Sequence, residues 1–185
     1  MSTATIIGDT TNGFYCYLDG GGLVISYDKN LADAERGYFS FYYNEEDWET
    51  STNGEKFINN AHVVTWSKYE VIHPISQEEA NDTNVAENCQ LPSLLGIGYG
   101  YRGYFDLHAG FSTFNSITGE KIQGKISLVY DPQEQTQDSL KLQLYYNPNT
   151  PDDWSKTQTD YETVSCDISS LVNLQQSKDS VTIVV

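Results

Sequence analysis

Apolar and polar positions alternate in short blocks along the chain. Residues 14–18, 23–28, 38–44, 61–66, 69–72, 125–131, 140–147, 161–168 and 180–185 each read with period two. That period marks a strand with one face turned to a core. Turn signals separate the blocks: Asn12-Gly13, Asp19-Gly20, Asn53-Gly54 and Pro74. Glycine reaches positive φ without a Cβ clash, so Asn-Gly and Asp-Gly favour tight reversals between strands. Roughly ten short strands at this spacing predict an all-β fold, a β-sandwich, jelly-roll-like fold or barrel, whose first strand opens at Phe14. One short helix is expected where Ser76-Gln-Glu-Glu79 fits a capping box.

Two blocks echo each other. Tyr27-Asp28 and Tyr42-Tyr43-Asn44 match Tyr130-Asp131 and Tyr145-Tyr146-Asn147 at a constant offset of 103 (130 − 27, and again 147 − 44). Asp47-Trp48 matches Asp153-Trp154 once three residues are inserted. The match predicts an internal pseudo-repeat of a β-hairpin, with halves at 13–66 and 117–168. At 185 residues the expectation is a single all-β domain, 1–185, long enough to bury roughly 70 % of its unfolded surface without a covalent staple.

Charge narrows the partners. Ten basic residues face 26 acidic ones, a formal net charge of −16. Such a surface repels phosphate backbones and anionic headgroups, so neither nucleic acid nor an anionic membrane is expected as a partner. Cations, basic proteins and neutral polar ligands remain. Three cysteines, Cys16, Cys89 and Cys166, cannot all pair within one chain; Cys16 and Cys166 lie in apolar alternation and read as small core residues. Three free thiols are expected. The first residues carry no basic segment followed by an apolar one, so the expected location is the cytoplasm, or outside the cell without a recognisable signal peptide. No apolar run approaches membrane-spanning length.

Catalytic signatures are sparse. His62, His73 and His108 fall at no paired metal-binding spacing. Gly98-Tyr-Gly-Tyr-Arg-Gly103 has the GxGxxG pattern, but strand and turn residues follow it where a dinucleotide site needs a helix. Glu45-Glu46-Asp47 and Asp152-Asp153 are acidic clusters that could hold Ca²⁺, yet they lack the regular spacing of a calcium loop, and no cofactor is expected.

The tryptophans carry the functional expectation. Trp48 and Trp154 stand in polar segments outside strand alternation. A flat ring beside carboxylates and amides suits a sugar, whose CH face stacks while Asp and Asn bond its hydroxyls. Trp48 with Asp47, Asn44 and Tyr43, and Trp154 with Asp153, Asn147 and Tyr146, are therefore candidate carbohydrate sites of a lectin-like, non-catalytic recognition module. An effector, toxin-like or structural protein acting through protein contacts is the alternative. A glycoside hydrolase is a third. The segment Asn12-Gly-Phe-Tyr-Cys-Tyr-Leu-Asp-Gly-Gly-Gly22, with Val24 and Tyr27, resembles the early strands of family 11 xylanases, which implies a jelly roll and two catalytic glutamates. Glu70 is the comparable mid-chain acid. The region before the last strand offers Asp179 and no Glu, so the second carboxylate that retaining hydrolysis requires is missing and membership does not follow.

Overall fold

The computed structural model describes residues 1–87, 89–90, 92–136, 139–150, 153–172 and 182–185. Among them are sixteen strands and two short helices. The fold is all-β and sandwich-like, and no described sheet closes into a barrel. Two compact units are distinguished: Met1–Val71 with Tyr99–Tyr104, and Ile72–Gly98 with Phe105–Val185.

The first unit is one seven-stranded sheet. Its strands are β1 (Ser2–Asp9), β2 (Gly13–Leu18), β3 (Leu23–Ser26), β4 (Arg36–Tyr42), β5 (Trp48–Thr50), β6 (Lys56–Ile58) and β7 (His62–Lys68), in the order β5-β6-β3-β2-β1-β4-β7. Alternation turns Ala4, Ile6, Phe14, Cys16, Val24 and Phe39 into a core that Leu31 and Ile58 complete. The opposite face presents two cross-strand rows, Thr5–Tyr17–Leu23 and Ile7–Tyr15–Ile25, set by the antiparallel registers of β1 with β2 and of β2 with β3.

In the second unit two sheets enclose one core. The five-stranded sheet runs β10 (Ser93–Tyr99), β11 (Tyr104–Asn115), β15 (Lys156–Asp167), β8 (Glu70–Ile72), with β12 (Lys121–Ile122) also on β11. The four-stranded sheet runs β16 (Thr182–Val184), β14 (Ser139–Asn147), β13 (Lys125–Tyr130), β9 (Ile75–Ser76). Phe105, Leu107 and Phe111 of β11 meet Leu128, Leu140 and Leu142 of the other sheet. The expected helix is α1 (Gln77–Asp82), with the Ser76 hydroxyl accepting from the Glu79 N–H at 3.1 Å. A second single turn, α2 (Ser169–Val172), follows β15. No described helix is long and apolar enough to cross a membrane.

Two expectations change. β1 precedes the expected first strand; its outward Thr3 and Thr5 dilute the apolar signal of Ala4 and Ile6. The repeated hairpin holds as a local plan only. In both copies an aspartate caps a 3-10 turn after the first strand: Asp28 accepts from Asn30 N–H at 2.9 Å and Asp131 from Gln133 N–H at 2.8 Å. β13 and β14 then pair directly, whereas β2 and β1 lie between β3 and β4. The first copy is therefore not a hairpin, because β1 and β2 supply the partners that β3 and β4 would otherwise give each other. The Gly98–Gly103 pattern forms the tip of the β10–β11 reversal, closed by Gly100 N–H to Tyr104 O at 2.8 Å, with Arg102 and Gly103 at φ 60° and 86°.

A buried ion pair fastens that tip within the first unit. Arg36 is wholly buried. Its guanidinium donates to Asp19 Oδ1 at 3.0 Å and Oδ2 at 2.5 Å, and to Thr5 Oγ1 at 3.0 Å. Asp19 also accepts from the Tyr101 N–H at 3.1 Å. Tyr104 lies under the cation, 5.6 Å from its ring centre. A Cβ at Gly100 would collide with the guanidinium, so glycine is required there.

Removing one partner leaves the other charge buried, a loss of about 3–5 kcal/mol. Arg36→Leu is expected to lower urea-unfolding stability on that scale. In the native protein, alkylation should reach Cys89 well before Cys16 and Cys166, since burial pushes both of those thiols up to about 12; mass spectrometry of timed quenches checks the order.

Candidate functional site

The first tryptophan site forms in part. Trp48 opens the edge strand β5 and is half exposed; Tyr43 meets it edge-on, ring centres 6.0 Å apart at 90°. Its polar neighbours are engaged in holding the loop. Asn44 N–H donates to Asp47 Oδ2 at 2.6 Å, Asn44 Oδ1 accepts from the Tyr42 hydroxyl at 3.1 Å, and the Asp47 carbonyl accepts from Asn59 N–H at 2.7 Å. The aromatic pair is free at the surface, while the amide and carboxylate chosen for sugar hydroxyls close a 3-10 turn.

The second site does not assemble on the same plan. Trp154 is 50 % exposed and rests edge-on against Phe114 at 5.5 Å, with Asp153 exposed beside it. Tyr146 is 3 % exposed. Its hydroxyl donates to the Ser112 carbonyl at 2.7 Å and its ring packs 4.9 Å from Phe111, so it belongs to the core. Asn147 is tied to the backbone, donating to Glu87 O at 3.4 Å and accepting from Asn149 N–H at 2.8 Å. Asp152 and Asp179 lie outside the described residues.

A different surface was hidden in the sequence. Tyr17 and Tyr101 stack at 5.0 Å with 8° between their planes, and the Arg102 guanidinium lies 4.4 Å from the Tyr17 ring centre. Tyr17 and Tyr101 line a cleft of about 460 Å³ with Leu23, Phe57, Glu55 and Lys56. Beside it runs the row Ile7–Tyr15–Ile25, of which Ile7 is 43 % and Tyr15 37 % exposed. The tyrosines at 15 and 17 on either side of buried Cys16 were the available signal: alternation puts both on the outer face. That Tyr101 would join them was not legible, because 84 residues of chain (101 − 17) separate the two rings.

Titratable groups serve structure. The hydrogen bond from Lys121 at 2.8 Å holds the Asp160 carboxyl below its usual range, and the same bond raises Lys121, which also contacts Glu162 at 3.2 Å. His73 faces Asp167 at 3.6 Å and His108 faces the Thr163 hydroxyl at 3.2 Å. Glu70 is exposed at the start of β8. No cluster of three metal-ligating side chains occurs among the described residues.

No protein-family model matches the chain, and no curated protein matches it in sequence. Solved structures do share its fold. A protein of Bacteroides fragilis described as a "putative lipoprotein" superposes with TM-score 0.62 at 15 % identity, over 98 % of this chain and 84 % of that one. A NigD-like immunity protein of Bacteroides caccae gives 0.61 at 13 %, over 98 % and 82 %. A DUF1344 protein of unknown function from Bacteroides vulgatus gives 0.54 at 15 %, over 91 % and 75 %. At such identities the likeness establishes the fold.

The two predicted sites separate by stability. Tyr146→Ala should cost about 3–5 kcal/mol, as truncation of a buried aromatic does. Trp48→Ala should leave the thermal midpoint nearly unchanged, since half its ring already faces solvent. Calorimetry of both variants checks the contrast.

Proposed function

We propose that this chain is a non-catalytic recognition protein whose target is another protein with a basic surface. The observation that carries this reading is the outer face of the first unit's sheet. Its row Ile7–Tyr15–Ile25 carries no charge, in a chain of net charge −16. Tyrosine beside branched apolar side chains is a composition found at the centre of protein interfaces. An acidic surround would speed encounter with a basic partner and make binding fall as salt rises. One similarly folded protein is described as an immunity protein, a role that would need a protein target.

Carbohydrate is the second reading, favoured by the half-exposed rings of Trp48 and Trp154. Against it, Asn44, Asp47 and Asn147 have their polar atoms in loop contacts. Affinity capture followed by titration of the purified partner separates the two. A basic protein is expected, bound at least tenfold more weakly by Tyr15→Lys and more weakly in high salt. Equal binding by wild type and Tyr15→Lys would overturn the sheet-face assignment. Specific glycan-array binding lost in Trp48→Ala would replace the protein reading with the carbohydrate one.

A further inference from the structure

β10 is the terminal strand of the five-stranded sheet, and its sequence is Ser-Leu-Leu-Gly-Ile-Gly-Tyr. Leu94, Leu95, Ile97 and Tyr99 are 45 %, 57 %, 43 % and 74 % exposed. No charged residue lies between Glu87 and Arg102, in a chain that is 19 % charged. Proteins normally blunt such an edge with charge, a bulge, proline or brevity. The other terminal strands follow that rule. β5, β8 and β16 have three residues each and β9 has two, while β7 ends on Lys68 and faces a register shift at Ser40/Phe41. β10 has none of these devices.

We infer that β10 pairs antiparallel with β10 of a second copy of this chain, about a two-fold axis at Gly96. The strand's order of residues argues for a copy as occupant. A two-fold pairing must be self-complementary, and reflection about Gly96 sets Leu95 against Ile97, Leu94 against Gly98 and Ser93 against Tyr99. One face gains apolar pairs. The other sets a large side chain against a glycine.

Backbone direction agrees. Gly100 N–H points to Tyr104 in β11, and Gly98 lies across from Asp106, to whose Cβ its own would stand 3.9 Å. Alternation therefore turns the free N–H and C=O groups of Leu95 and Ile97 outward, where each pair would exchange two hydrogen bonds. Charge also permits it: copies of a −16 chain repel, and the pairing edge carries none of that charge. The two five-stranded sheets become one continuous sheet.

Opposed Gly96 residues would be a non-hydrogen-bonded pair with Cα atoms about 4.5 Å apart, within disulfide range. In a Cys89→Ser background, Gly96→Cys should give a covalent dimer under mild oxidation, and Ile117→Cys, placed in a turn and 70 % exposed, should not. Sedimentation of the wild-type chain from micromolar to millimolar concentration should show a monomer–dimer equilibrium that Leu95→Lys shifts to monomer. A monomer throughout that range, open-ended oligomers, or cross-linking no greater at 96 than at 117 would overturn the inference.

Discussion

A guanidinium taken wholly out of water constrains the first unit more than any other single group. Arg36 stands at the start of β4, facing outward from the sheet, where alternation would leave it solvated. It is instead roofed by Tyr99–Tyr104, and only a fork-shaped cation can meet both oxygens of Asp19 while bonding Thr5 as well. Asp19 sits in the turn after β2, Thr5 in β1, and Tyr101 in the tip. One charge pair thereby fixes the spacing of two adjacent strands, a turn and a remote loop. Since the desolvation of such a pair can exceed its attraction, its value is geometric: wrong placements of the tip leave a bare charge.

Strand positions were legible because they depend on period alone. Lys125–Tyr130 and Ser139–Asn147 fall almost where alternation put them. Pairing was not legible. Tyr27 and Tyr130 share a local setting, an Asp-capped turn after a strand, yet the strands that follow find different neighbours. Register and strand order are decided by non-local contacts, which a local pattern does not encode. The same limit explains Tyr146. Its match with Tyr43 suggested a shared role, but one side chain is enclosed by Phe111 and the Ser112 carbonyl while the other stays at the surface against Trp48.

The loops beside the tryptophans show a related limit. Polar residues beside a tryptophan look available for a ligand in one dimension. In three dimensions, short Asn and Asp side chains next to a tight turn compete for its backbone. Asp47 and Asn147 accept from such backbone N–H groups, while Asn44 Oδ1 accepts from the Tyr42 hydroxyl. Tyr15 and Tyr17, by contrast, read as ordinary strand residues, yet both stand on the outer face and Tyr17 stacks on Tyr101.

The membership of the tip has a consequence for synthesis. The first unit's strands are complete by residue 68, but the loop that roofs Arg36 is 99–104. At a ribosomal pace of roughly 5–20 residues per second, the sheet waits about 2–7 s for its roof. During that interval the Thr5–Tyr17–Leu23 row is bare. The nascent chain therefore passes through a state in which the Tyr17 ring lacks its stacking partner and Arg36 has only Asp19 and Thr5 for company.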